Sequence, residues 1–164
     1  MDHDYTDRAL ATWQKVRPDL DASPIAVVNR IVRLARHLEA SLDEVATSFG
    51  LSRKGDFDTL AALRRRGEGG LSPTQLAAAA MITTGGMTSR LDRLEQAGLI
   101  ERHVDPHDRR ALLINLTEAG QDLVDSLFES SLARQRQLLE TLSSRDRETL
   151  SRLLRELLLH FGDQ

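Results

Sequence analysis

Small hydroxylated residues, glycines and arginines crowd one part of this chain: Ser72 and Thr74, then Thr84, Gly85, Gly86, Thr88, Ser89, Arg90 and Arg93, and finally Asp108, Arg109 and Arg110. The chemistry they share is recognition of a polyanion. Hydroxyls donate to phosphate oxygens, residues with little or no side chain let a backbone approach phosphate closely, and an arginine can fork onto guanine O6 and N7. An arginine at a loop tip can enter a narrow, strongly negative minor groove. A neighbouring carboxylate, here Asp108, can hold that guanidinium in one pose by a bidentate bond. Double-stranded DNA is the partner that suits this set of groups.

Other chemistries find less support. The histidines (His3, His37, His103, His107 and His160) are scattered, and no Ser/His/Asp, HExxH or phosphate-loop pattern accompanies them. His103 and His107 are four apart, but the segment reads as a hairpin, so a shared metal is not expected. With no cysteine there is no disulfide, thiolate nucleophile or thiol switch. The reading is therefore of a protein that is not an enzyme and needs no cofactor or metal. A net charge of −3 argues against indiscriminate coating of DNA. A sequence-specific reader can still be acidic overall if its cations gather on one face. At 164 residues, 40% hydrophobic and 29% charged, the chain suits one globular domain rich in aliphatic helices. No run of about 18 apolar residues could span a membrane, and Met1-Asp2-His3-Asp4-Tyr5 lacks the character of a signal peptide. Both features point to the cytoplasm.

The elements that must position these groups follow from periodicity and caps. A short helix over 6–16 carries Trp13, and Pro18 and Pro24 bracket the break after it. Ile25, Val28, Ile31, Val32, Ala35 and Leu38 recur at helical spacing, which predicts a long amphipathic helix over 25–48. A further helix is expected from about Ser52 to the Arg64-Arg65-Arg66 run, stopped by Gly67. Gly55 stands where an acid would complete a capping box with Ser52, so this helix should start loosely. Next, Ser72 is an N-cap, Pro73 takes the first helical position and Gln75 completes a capping box, giving a short helix over 73–80. Another helix over 84–97 places Met87, Leu91 and Leu94 on one face, and Gly98 ends it. Runs 99–103 and 111–116 have strand character and flank a polar loop. Thr117 and Ser143 then cap two C-terminal helices, over 118–142 and 144–161.

A short capped helix, a tight connection, a longer helix and a two-stranded hairpin make a winged helix-turn-helix. Met87, Leu91 and Leu94 would anchor the reading helix, leaving its polar face for the major groove. Plainer readings compete: Gly85-Gly86 as a simple turn, Arg90 and Arg93 paired with Asp92 or Glu95 on a solvated face, and the 105–110 loop as a salt-bridged surface turn. A winged helix used only for protein contact, without specific DNA binding, is the alternative function, although such modules lose the basic wing and polar reading face that Arg109, Arg110 and Arg90 supply here. Leu150, Leu153, Leu154, Leu157 and Leu158 are more leucines than one stripe needs, and the 25–38 helix has no obvious second partner within the chain. Both features predict a two-fold dimer with reading helices roughly 34–36 Å apart.

The runs Leu71-Ser72-Pro73-Thr74-Gln75-Leu76, Gly86-Met87-Thr88-Ser89-Arg90-Leu91-Asp92-Arg93-Leu94-Glu95, Gly98-Leu99-Ile100-Glu101-Arg102, Asp105-Pro106-His107-Asp108-Arg109-Arg110 and Leu116-Thr117-Glu118-Ala119-Gly120 resemble those of MarR-type regulators across nearly the whole chain. The resemblance implies a mostly helical fold with a small β-hairpin wing. It implies a helical dimerisation region (1–50 and 118–164) around a winged helix-turn-helix lobe (52–116). It also implies a homodimer on a pseudo-palindromic operator, repression by occlusion, and release by a small effector. By the same likeness Arg110, oriented by Asp108, is the minor-groove residue.

Within that family a branch that answers urate and related anions carries a tryptophan on an extra N-terminal helix, an Asp and an Arg before the reader, and an Arg at the start of the wing. Trp13, Asp58, Arg65 and Arg102 stand at matching places. Asp58 and Arg65 are seven residues apart, which puts them on one side of a helix. The likeness implies that an anion such as urate or a tricarboxylate rests against Trp13 and is held by Arg65 and Arg102. It would repel Asp58 and so move the reading head.

Overall fold

The computed structural model describes residues 3–106, 108 and 111–162, in the order α1 (Tyr5–Val16), α2 (Ile25–Ser48), α3 (Lys54–Arg66), α4 (Pro73–Ala79), α5 (Thr84–Gln96), β1 (Ile100–Val104), β2 (Leu112–Leu116), α6 (Glu118–Leu138) and α7 (Ser144–His160). Most helices begin where a side chain can satisfy the open amides of the first turn. Asp4 and Asp7 form a reciprocal capping box on α1, and Ser72 and Gln75 another on α4. Thr83, Thr117 and Ser143 cap α5, α6 and α7. Helix α3 has no side-chain cap: Arg53 precedes it, and it begins at Lys54, two residues later than the Ser52 start expected from sequence. At the other end of the chain, α6 stops at Leu138, four residues short of its expected 142.

The chain forms two compact units, 1–44 and 45–164, with the boundary inside α2. In the first, Arg30 of α2 reaches Asp4 at 2.8 Å and Asp7 at 2.7 Å, and the Arg33 guanidinium lies 4.4 Å from the centre of the Tyr5 ring. These contacts tie α1 to α2 while Val27, Val28, Ile31, Val32 and Leu34 stay open to solvent.

The second unit holds the winged helix-turn-helix. Leu60 and Leu63 of α3, Leu76 and Ala77 of α4, Met87, Leu91 and Leu94 of α5, Ile100 and Ile114 of the hairpin, and Val124 and Leu127 of α6 make one buried core. Strands β1 and β2 pair antiparallel in the register Ile100↔Leu116 to Val104↔Leu112, and Leu71 adds a single antiparallel bridge against Ile114. That bridge fixes the hairpin to the residue before the α4 cap. At the hairpin's base α6 packs so closely that a Cβ on Gly120 would lie 2.0 Å from the Leu99 carbonyl oxygen. Only glycine fits that crossing. Helix α7 has no buried residue, and Leu153, Leu157, Leu158, Leu159 and Phe161 are exposed. Among the described residues, no helix is long and apolar enough to cross a membrane.

Candidate nucleic-acid interface

Helix α5 is anchored through one face only. Met87, Leu91 and Leu94 are at most 2% exposed, whereas Thr84, Gly85, Gly86, Thr88 and Ser89 all face outward. The Thr83 hydroxyl accepts from the Gly86 amide at 3.2 Å and fixes the helix start. Thr88 donates to the Thr84 carbonyl at 3.0 Å, which holds its rotamer against the helix. Thr74, on α4, is likewise exposed, while Ser72 is half-buried and engaged as the α4 cap. The turn between α4 and α5 is sharp. Met81 takes a left-handed φ of +51° there, with its side chain 89% exposed.

The two arginines of α5 do not behave as the sequence suggests. Arg90, expected among the outward groups, turns back onto α3 and its side chain is only 13% exposed. Its Nη1 donates to the Gly55 carbonyl at 2.9 Å and to Thr59 Oγ1 at 3.2 Å, and its Nε lies 3.8 Å from Asp56. Arg93 is 42% exposed and spans both surroundings, with Nη2 donating to Asp56 at 2.9 Å and Nη1 to the Ser89 carbonyl at 3.1 Å. Neither arginine pairs with Asp92 or Glu95; those two carboxylates are taken by Arg102, at 2.6 and 3.4 Å. Arg90, bonded to a carbonyl and a hydroxyl beside a buried carboxylate, has little reason to remain in water.

Asp56 is absent from the sequence-based site, yet it organises this junction at 2% exposure. An acid in the first turn of a helix reads naturally as a complement to the helix dipole. The signal that could have found it is its spacing from Leu60 and Leu63, which puts it on the core-facing side of α3.

The wing tip is described in part. Asp108 is exposed, its carbonyl accepts from the Ala111 amide at 2.9 Å, and Asp105 and Ala111 close the loop at 3.0 Å. Arg109 and Arg110, assigned to DNA from sequence, lie outside the described residues.

Beside α5, α3, α4 and the turn at Met81 enclose a cleft of about 330 Å³ lined by Lys54, Asp58, Thr59, Arg65, Met81 and Arg90, among others. Asp58 and Arg65, expected to share a ligand, do share this cleft, and Asp58 pairs with Lys54 one turn earlier. Arg102, expected with them, does not line it. Arg102 instead ties β1 to α5 through Asp92 and Glu95. Trp13 belongs to the first unit, where it is 51% exposed on α1. Among the described residues, no cluster of three or more His, Cys, Asp or Glu could hold a metal ion.

Comparison with known proteins places this architecture. A model described as the MarR family matches residues 49–111. The HTH-type transcriptional regulator PecS of Dickeya dadantii (strain 3937) is 39% identical over 143 residues, covering 87% of this chain and 86% of the relative. Two solved structures share the fold at 24% identity: AbsC, a MarR family transcriptional regulator from Streptomyces coelicolor (TM-score 0.76, covering 88% of this chain and 98% of that one), and a MepR–DNA complex from S. aureus (TM-score 0.73, covering 82% and 97%). A MarR mutant from E. coli complexed with operator DNA has a TM-score of 0.72 at 22% identity, covering 89% and 97%.

Proposed function

The chain belongs to the MarR family of transcriptional regulators, which are not enzymes, and we propose that it is a homodimeric repressor of a pseudo-palindromic operator, released by a small anion. The observation that carries this reading is the division of α5 into a buried apolar anchor and an outward face of Thr84, Gly85, Gly86, Thr88 and Ser89. Such a face suits the floor of a major groove, where small residues permit close approach and hydroxyls meet phosphate and base edges. Ser72, Thr74 and Arg93 would meet the flanking phosphates. Arg109 and Arg110, with Asp108, would serve the minor groove. That MepR and MarR are seen with DNA on the same fold supports the assignment.

Homodimerisation is supported within each unit separately. The first leaves an aliphatic face of α2 open, and the second leaves the leucine-dense α7 with no buried residue. Apolar surface of this extent is normally covered by another subunit.

The effector site follows from the cleft beside α5. Lys54, Arg65 and Arg90 bring three cations to one opening, with Asp58 the only carboxylate among its described lining residues. An anion entering there would bind across α3 and the reading helix at once. It would compete with Asp58 for Lys54 on α3 and meet Arg90 of α5, and so connect occupancy to the placement of α5. Arg102 is engaged by Asp92 and Glu95, so the proposed anion is held first by Arg65 and Lys54.

The test is a gel-shift titration with DNA flanking the chain's own gene, with and without urate, trans-aconitate, citrate and salicylate. Specific binding, lost with at least one anion, is the expected result. Binding that is specific but indifferent to all four would remove the effector assignment. Equal affinity for flanking and scrambled DNA across a salt series would remove the operator reading.

A further inference from the structure

We propose that Gly55 and Asp56 form a dock on α3 that withholds Arg90 from DNA, and thereby sets how selectively the reading helix discriminates sequence. The inference rests on the DNA-reading assignment of α5 made above.

Gly55 is an odd choice for the first turn of a helix that already lacks a side-chain cap, because glycine disfavours helix relative to alanine. Its backbone is not left-handed, so conformational freedom does not explain it. Space does. A Cβ at position 55 would lie 2.7 Å from Arg90 Nη2 and 3.0 Å from its Cζ. The guanidinium fills the place where a side chain would be. There it donates to the Gly55 carbonyl at 2.9 Å and lies within ion-pair range of Asp56, with its side chain 13% exposed. Helix α3 therefore supplies a fitted shape, an acceptor and a countercharge to one particular arginine of another helix.

The consequence follows from what an arginine does near a duplex. Arg90 lies one turn beyond the outward-facing Gly86 on the same side of α5. Released, its long side chain would extend toward the phosphates flanking the groove. A phosphate contact adds affinity for every sequence alike. Docked, Arg90 adds nothing to that term, and discrimination falls to Thr84, Thr88 and Ser89, whose short side chains make contacts that depend on base geometry. The dock thus gives up non-specific affinity in favour of selectivity.

The experiment uses the full chain as wild type, Gly55→Ala, Arg90→Ala and the double variant, with binding to operator and to random duplex read by fluorescence anisotropy across a salt series. Gly55→Ala should fold, since the atom it meets is the mobile end of a side chain and alanine favours helix. It is expected to raise affinity for random DNA several-fold and to steepen the salt dependence by about 0.9 in slope per protomer, one added phosphate contact each. The ratio of operator to random affinity should fall. In the Arg90→Ala background the same glycine change should do neither, which a loss of general helix integrity would not reproduce. Thr59→Val, which removes an acceptor from the dock without adding bulk, should shift both readings the same way by less. Unchanged slopes and ratio in Gly55→Ala, or changes of equal size with Arg90 absent, would overturn the dock. A wild-type chain with no operator preference would instead remove the DNA-reading assignment, and the inference with it.

Discussion

Asp56 of α3 accepts Arg93 Nη2 of α5 at 2.9 Å, while only 3% of the aspartate side chain is exposed. With Arg90 Nε 3.8 Å from the same carboxylate oxygen, one buried acid balances two arginines of α5. Removing one partner of a buried pair typically costs about 3–5 kcal/mol. Arg93 is close to half exposed and can regain water, so Asp56→Ala should lower stability by about 2–3 kcal/mol, at or just below the lower end of that range. Urea unfolding checks it. A change under about 0.5 kcal/mol, the level of an ordinary surface substitution, would show that the acid is not the tie between these helices.

Gly120→Ala should be among the most damaging small substitutions in the second unit. The added methyl would sit 2.0 Å from the Leu99 carbonyl oxygen, against backbone that cannot rotate away. Overpacking of this kind costs about 1–3 kcal/mol or more. A melting temperature equal to that of the unaltered chain would mean that α6 can slide on the hairpin base.

Met81 points the other way. Its φ of +51° is unfavourable for any residue with a Cβ, by about 1–2 kcal/mol. Its side chain, 89% exposed, has little packing to lose. Met81→Gly should therefore raise stability, with the gain held below about 1 kcal/mol by the greater freedom of glycine in the unfolded chain. Loss of stability in denaturant would refute the strain.

The Arg64–Asp125 pair, two hydrogen bonds of 2.8 and 2.9 Å, joins α3 to α6. The guanidinium holds the Asp125 carboxyl below its usual value of 3.8. A depressed folded value means the contribution is complete above 3.8 and is lost as pH falls below it through the folded value. The stability difference between the unaltered chain and Asp125→Asn should thus be present at neutral pH and shrink in strong acid. A difference that grows on acidification would reverse the sign of the linkage.

Arg65→Gln should leave operator affinity within about threefold and abolish the response to whichever anion releases the unaltered chain, because Arg65 lines the cleft and lies on α3 rather than on the reading face. Retained release would move the effector to another place.

Much of this architecture is legible in the amino-acid sequence for a physical reason: caps and helical periodicity are local. Ser72, Pro73 and Gln75 specify the start of α4 among themselves, and Met87, Leu91 and Leu94 fix which face of α5 turns inward whatever it packs against. The outward set of Thr84, Gly85, Gly86, Thr88 and Ser89 follows by subtraction. What the linear chain could not decide was the fate of long charged side chains, since an arginine reaches far enough to choose among partners on several elements. Arg90 chose Gly55 and Thr59 some thirty residues away, and Arg102 chose Asp92 and Glu95 over the cleft with Asp58 and Arg65. Asp56, two positions from Asp58, became the buried centre of the site only when α3 and α5 were brought together. Local geometry belongs to the sequence. The pairing of charges across elements belongs to the tertiary fold.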